Sequence, residues 1–333
     1  MHWCHPSLVR NLKIIFFYDV CHSLTLFFYF LKGRADYCHH LADLFGGYDC
    51  SSVMGKAKLV PEGSTIRGLD VGTGSGCIYP LLGAKFYGWS FVGSDIRQEA
   101  VITSEQIILA NDLTEQIEVR LQLHSERIFD GVWGRDELFD FTMCNPPFYS
   151  SREAFLSESL RKVRGLARSR DKRQIGKGKK QIKLHSSLSK SGCSVVENSK
   201  NEKRNQEGGG LSNNFGGSDS ELWCPGGEVA FVSRMVEESA KFADRCLWFT
   251  SLVSRQDNVD KIEKKMKKNN FNIDNSNSKR RRRNDNDESK GVGTIKIIKK
   301  VRIGAGTKYS TILMWSYFSL EMHTEWAMRR GWG

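Results

Sequence analysis

The chain lacks any C-x-x-C pair; its nine cysteines in 333 residues are an odd number, scattered singly. That pattern speaks against a disulfide framework and fits a reducing compartment. Metal-ligand spacing is missing as well. Cys4-His5, Cys21-His22 and Cys38-His39 recur every 17 residues, whereas structural zinc sites pair ligands roughly two to four residues apart. No metal is expected. Nor is there a small-residue cleavage site after the first apolar run, which ends in Lys32-Gly33-Arg34. That run, 14–31, has the length to span a bilayer, but Asp19 and His22 in its middle are costly in hydrocarbon. A membrane span is disfavoured, and 1–32 stands apart as an atypical apolar N-terminal segment. It is expected to be a variant or truncated form; a buried or partner-facing helix and a membrane anchor are the alternatives.

Proline is scarce too. Two of the six prolines are adjacent, in Asn145-Pro146-Pro147-Phe148, which follows an apolar stretch, 138–144, that reads as a buried strand. The consecutive rings fix φ at both residues and remove two backbone donors. An exocyclic base amine is a poor nucleophile while its lone pair is delocalised into the ring. A site that methylates it needs acceptors for the two N–H groups, and Asn145 offers a side-chain oxygen and Pro146 a carbonyl. Phe148 supplies a face on which a base can stack. Taken alone, the tetrapeptide reads as a strand ending in a proline turn.

Upstream, Ile66-Arg67-Gly68-Leu69-Asp70-Val71-Gly72-Thr73-Gly74-Ser75-Gly76 runs an apolar strand into a glycine-rich turn. Gly72, Gly74 and Gly76 let the backbone approach a ligand, and the following helix N-terminus favours electron-rich groups. A lone G-x-G would suit a nicotinamide dinucleotide. Here Asp70 precedes the turn, where a carboxylate can hold an ammonium group, and a second strand, 90–95, ends in Asp95, placed to chelate two ribose hydroxyls. Acid, glycines, second acid and N-P-P-F, in that order, point to S-adenosylmethionine rather than NAD.

These segments resemble a known family. Gly68 to Ala84, with Cys77-Ile78-Tyr79-Pro80-Leu81-Leu82-Gly83-Ala84, and Phe139 to Phe148 look like the RNA adenine N6-methyltransferases related to methyltransferase-like protein 16, which include the bacterial RlmF-type ribosomal RNA enzymes. Pro225-Gly226-Gly227-Glu228, Trp248-Phe249-Thr250-Ser251 and Thr311 to Phe318 extend the likeness, which covers about 33–150 and 222–318. The resemblance implies that Arg34, three residues before Tyr37, contacts the cofactor carboxylate, and that Ser125 lies in a loop near the cofactor adenine. Asp36 stands where the family has asparagine, and His40 where it has an aromatic residue. It further implies transfer to the N6 amine of an unpaired adenosine in a structured RNA (small nuclear, ribosomal or messenger), in the nucleus and/or cytoplasm. A DNA-adenine or protein-glutamine methyltransferase, and an RNA-binding relative with impaired catalysis, are the rival readings.

A net charge of +12 and a pI near 9.2 suit an acidic partner such as nucleic acid. Strands are expected at 65–71, 90–94, 117–123, 138–144 and 246–253. Helices are expected at 76–86, 97–111 and 228–243, with an exposed, lysine-rich one at 259–269. Two closing strands, 293–303 and 309–319, joined by Gly304-Ala305-Gly306, imply an antiparallel hairpin. The expected fold class is α/β, a doubly wound, Rossmann-like class I methyltransferase sheet ending in that hairpin. The methyltransferase domain is placed at 33–320. Polar basic inserts at 150–219 and 272–291, too poor in large apolar residues to order themselves, interrupt it, and 321–333 is a C-terminal tail. The first insert could fold over bound RNA as a basic flap.

Overall fold

The computed structural model describes residues 24–45, 60–154, 156–157, 161, 223–282, 293–305 and 308–332. The element order is α1 (Leu24–Phe45), β1 (Arg67–Val71), α2 (Ile78–Tyr87), β2 (Ser90–Asp95), α3 (Gln98–Ala110), β3 (Ile117–Leu121) and β4 (Phe139–Cys144). Then follow α4 (Gly227–Ser239), β5 (Cys246–Val253), α5 (Gln256–Arg282), β6 (Ile297–Ala305), β7 (Lys308–Ser316) and α6 (Leu320–Arg329). The strands form one seven-stranded sheet in the order β3-β2-β1-β4-β5-β7-β6. The first five are parallel and β7 runs antiparallel to both β5 and β6. This is the doubly wound sheet with a closing hairpin that the motif order implied.

Burial follows from the topology. A parallel sheet with helices on its faces hides its central strands from both sides, so they read as near-continuous apolar runs. Residues 68–71 of β1 and all of β4 and β5 are buried. Edge strand β3 buries only Ile117 and leaves its remaining residues partly open, so the alternation expected there is not seen. Close packing at the centre has a local cause. A Cβ on Gly68 would lie 2.5 Å from the Phe141 ring, and one on Gly83 would lie 2.4 Å from Phe91.

Three expectations change. Helix α5 is not simply exposed: Val259, Ile262 and Met266, at helical spacing, are fully buried. It also runs on to Arg282, into the stretch expected to be an irregular insert, because extending a packed helix is far easier than nucleating one. Residues 321–333 include most of α6, whose His323 and Trp326 are buried. Its end is held by Arg330, which donates to Asp140 from Nε (3.0 Å) and Nη2 (2.8 Å).

At the other end of the sequence, α1 covers the second half of the 14–31 run, and residues 14–23 lie outside the described residues. Its buried Ala35, Tyr37, Cys38, Leu41, Ala42 and Phe45 form one core-facing stripe. Cys38 and His39 are part of this packing, His39 Nδ1 lying 2.6 Å from the Tyr87 hydroxyl. The other two Cys-His pairs lie outside the described residues. Among the described residues no helix is long and apolar enough to cross a membrane.

The contacts divide the chain into two units, 1–150 with 216–333, and 151–215. The second, which takes in nearly all of the first expected insert, is described only at its start, where Ser151 Oγ accepts the Ala154 N–H at 3.2 Å.

Candidate active site

Because β1, β2 and β4 are parallel neighbours, their C-terminal ends open on one edge of the sheet. Ligands of open α/β sheets bind at that edge, where strand order reverses; here the reversal falls between β1 and β4. Asp70 is the fourth residue of β1 and is opposed by Gly93 on β2 and Met143 on β4. It is 1% exposed, and among the described residues neither carboxylate oxygen has a hydrogen-bond partner, the nearby Thr73 hydroxyl donating to Cys77 Sγ at 3.6 Å. Burial pushes its carboxyl up to about 7; the Thr73 hydroxyl pulls it down and the nearby Asp95 charge raises it further. A buried carboxylate in that state is costly, and a cation would offset the cost.

The turn after β1 takes its shape from two of its glycines. Gly72 (φ 72°) and Gly74 (φ 65°) lie in the left-handed region, where a side chain is strained. A Cβ on Gly72 would meet nothing within 4 Å, so the space before the turn is open. Gly76 has no positive φ; Cys77 takes the left-handed position at the N-terminus of α2 instead (φ 45°). Gly72 and Thr73 donate their N–H groups to the Ser94 carbonyl, each at 2.8 Å. Ser104 of α3 donates its hydroxyl to the Gly74 carbonyl at 2.8 Å.

Asp95, at the end of β2, clasps this turn. Its Oδ2 accepts the Gly74 N–H (3.0 Å), and its Oδ1 accepts the Arg97 N–H (2.9 Å). Each oxygen retains a lone pair, so the carboxylate can still accept from a vicinal diol. The next residue, Ile96, is an apolar side chain 52% exposed at this edge. Nothing in the sequence distinguishes it from any other strand-end residue.

At the end of β4 the corner turns from core to surface. Asn145 is half-buried, Pro146 buried, Pro147 half-buried, and Phe148 is 43% exposed. Tyr149 then bridges to Trp223, and the Cys224 N–H donates to the Tyr149 carbonyl at 3.0 Å. This joins the N-P-P-F segment to the Pro225-Gly226-Gly227 turn that opens α4. Both glycines have positive φ, and a Cβ on Gly227 would lie 3.3 Å from the Ser150 backbone.

Arg34 lies on α1, half-buried, its guanidinium held below the usual value by burial while nearby Tyr79 pulls it back up. Ser125 lies beyond β3 in an exposed loop, its hydroxyl 3.4 Å from Glu126 Oε2. Asp70, Gly72, Gly74, Asp95 and Asn145 thus share one edge on three adjacent strands. Gly76 lies in the turn after β1 and Ser125 in the connection between β3 and β4, neither with a distinctive geometry. Tyr79 and Ser104 support the edge from helices and read in the sequence as ordinary core or helix residues; Tyr37, which the sequence marks only by its spacing from Arg34, supports it as well.

The chain matches the family model described as RNA methyltransferase over residues 8–277. It is 38% identical over 297 residues to the ribosomal RNA large subunit methyltransferase F of Marinomonas sp., spanning 89% of this chain and 71% of that protein. It is 34% identical over 301 residues to its namesake in Photobacterium profundum, spanning 90% and 74%. These relatives are bacterial and give the nuclear part of the expected localisation no support. In fold the chain resembles the crystallised hMettl16 catalytic domain in complex with the MAT2A 3′UTR hairpin 1 (TM-score 0.52, 21% identity, 86% of this chain and 70% of that one). A class I sheet, a buried acid without a partner, a glycine turn and an acid at the end of β2 suit S-adenosylmethionine, the methyl donor of such enzymes. With that model and those identities, the chain belongs to the RNA methyltransferase family.

Proposed function

We propose that this site transfers a methyl group from S-adenosylmethionine to the N6 amine of an unpaired adenosine in a structured RNA. One observation carries the reading: a half-buried Asn145 and an exposed Phe148, set by two prolines, share an edge with Asp70 and Asp95. Asp70 would hold the amino group of the donor's methionine and Arg34 its carboxylate. Asp95 would accept from the ribose hydroxyls, and Ile96 offers an apolar surface beside them. Ser125 is assigned, more distantly, to the loop near the cofactor adenine.

The bound donor supplies a methyl already activated on a sulfonium, so the protein needs neither a metal nor a strong base; positioning supplies much of the rate. The Asn145 side-chain oxygen and the Pro146 carbonyl accept the two amine N–H groups and turn the nitrogen lone pair toward the methyl. Phe148 stacks on the base, worth about 1–3 kcal/mol. An adenine reaches such a corner only unpaired or flipped from its stack, which favours a loop or bulge. Ribosomal RNA of the large subunit is the substrate class to test first, because the relatives above carry that name.

The test is methyl transfer to protein-free large-subunit ribosomal RNA, to hairpins with a single unpaired adenosine, to DNA and to protein, with the product nucleoside identified. Asn145→Ala should lower kcat by about 10²–10³, by analogy with the loss of one transition-state hydrogen-bond partner, and leave affinity for S-adenosylhomocysteine within a few fold. Near-normal turnover of that variant would remove Asn145 from the reaction. Transfer to DNA or glutamine in place of RNA would favour the rival readings.

A further inference from the structure

The geometry points to Tyr37 as a positioning residue for the catalytic corner, its hydroxyl standing in for a missing rung between β4 and β5. This rests on the reading of Asn145 given above. The two strands pair through Phe139↔Cys246 and Phe141↔Trp248. Beyond Phe141, toward the site, side chains take over the spacing. The Thr250 N–H donates to Thr142 Oγ1 at 3.3 Å, and the Thr250 hydroxyl donates to the Thr142 carbonyl at 2.6 Å. Tyr37 reaches in from α1 with its hydroxyl 2.7 Å from Thr250 Oγ1. The Cys144 N–H donates to the same Tyr37 oxygen at 3.5 Å.

The direction of every bond follows from the donors. Thr250 gives its proton to the Thr142 carbonyl, so its oxygen must accept from Tyr37. Tyr37 has then used its proton, and its oxygen accepts from the Cys144 peptide. The ring runs Cys144 N–H to Tyr37 to Thr250 to Thr142 C=O, and it closes on β4 itself. It requires a neutral phenol, which full burial favours by raising the hydroxyl well above its ordinary value. Thr142, Thr250 and Tyr37 are all 0% exposed.

Cys144 is the last residue before Asn145. A residue that holds the Cys144 peptide therefore sets the direction in which Asn145 and the two prolines leave the strand. Ordinary ladder pairing to β5 would hold that end of β4 flat. A tyrosine from another element takes the Cys144 N–H and fixes the exit instead. The same helix carries Arg34, three residues earlier and so on the same face, while the Tyr37 ring meets Tyr79 edge-on at 5.5 Å. One helix thus ties the proposed cofactor carboxylate contact to the acceptor corner.

Tyr37→Phe keeps the ring and removes only the hydroxyl. With S-adenosylmethionine and protein-free large-subunit ribosomal RNA, kcat should fall 10- to 100-fold while KM for the RNA stays within about threefold. Affinity for S-adenosylhomocysteine should stay within twofold. Amide exchange in the 142–149 segment should rise, and exchange in β1 and β2 should not. Thr250→Val should give the same kcat loss, and the double variant no more than either alone, because both break one ring. A Tyr37→Phe enzyme with wild-type kcat and unchanged exchange at 142–149 overturns the inference. It does so without touching the proposed function, which falls only if Asn145→Ala stays active. A general loss of stability with exchange raised throughout the sheet also overturns it, since Tyr37 would then be a core residue like any other.

Discussion

Two aspartates on neighbouring central strands, both shut away from solvent, sit at opposite ends of the sheet and in opposite company. Asp140, near the start of β4, is 0% exposed and accepts four hydrogen bonds. They come from Trp326 Nε1 (2.7 Å), the Arg67 N–H (2.7 Å), and Arg330 Nε (3.0 Å) and Nη2 (2.8 Å). Asp70, near the end of β1, is equally buried and has no hydrogen-bond partner among the described residues. Burial pushes both carboxyls up, but at Asp140 the Arg330 guanidinium pulls against it.

The contrast extends along both edges. At the far edge Glu137 receives Arg67 and Arg120 and is held down near 2, chiefly by its Arg120 hydrogen bonds. Arg245 donates to the carbonyls of Gly134 and Arg135 and lies over the Phe242 ring. At the site edge the backbone bends through left-handed glycines, and β4 leaves its ladder. One edge is built to be stable by itself; the other keeps polar groups unsatisfied, as a binding site must before its ligand arrives.

The sharpest way to break the contrast is to give the far edge the site's deficit. Arg330→Ala leaves Asp140 a buried charge with two neutral donors, and breaking a buried pair in this way costs about 3–5 kcal/mol. The expected result is that loss in urea unfolding, with affinity for S-adenosylhomocysteine unchanged in the folded fraction. A loss below about 1 kcal/mol would mean that α6 is not anchored through Asp140.

At the site edge the effects should appear in binding instead. Asp95→Ala removes the charged acceptor from the proposed ribose contacts and frees the Gly74 N–H. Affinity for S-adenosylhomocysteine should fall by about 1.5–3 kcal/mol, the usual worth of hydrogen bonds to a charged group. If calorimetry finds no change, Asp95 serves only to cap the glycine turn.

The two edges also differ in how far they could be read from the sequence. Asp70, Asp95 and Asn145 were legible because local chemistry marks them: an acid at a strand end, glycines in a turn, two prolines. The sheet itself followed from apolar runs separated by helical spacing. The clamp on Asp140 was not legible, since Arg330 is 190 residues away and no local pattern links an arginine in a terminal segment to one aspartate in a strand. Tyr37 was legible only as the marker of Arg34's spacing; its hydroxyl's role depends on Thr250, 213 residues on. The buried face of α5 was misjudged because lysines outnumber the three apolar residues that face the core.

Asp70 offers the finest test of the contrast, through pH. Its folded value, about 7, lies above the ordinary carboxyl value of 3.8. Between those values the folded chain keeps a proton that the unfolded chain has released, so stability falls as pH rises through the window and stays lower above it. Asp70→Asn cannot ionise and escapes the penalty. The ligand-free variant should match the wild type near pH 4 and exceed it at pH 8. Ligand binding has the opposite slope. An ammonium favours the carboxylate, so binding S-adenosylhomocysteine below about pH 7 must expel the Asp70 proton, and affinity should weaken by up to about tenfold per unit as pH falls. Calorimetry in two buffers of different ionisation enthalpy measures the proton released, and Asp70→Asn should bind more weakly with no such release. A wild-type affinity flat from pH 5.5 to 8, with no proton exchanged, would show that Asp70 is already ionised and paired before the ligand arrives. The two aspartates would then differ in position and not in kind.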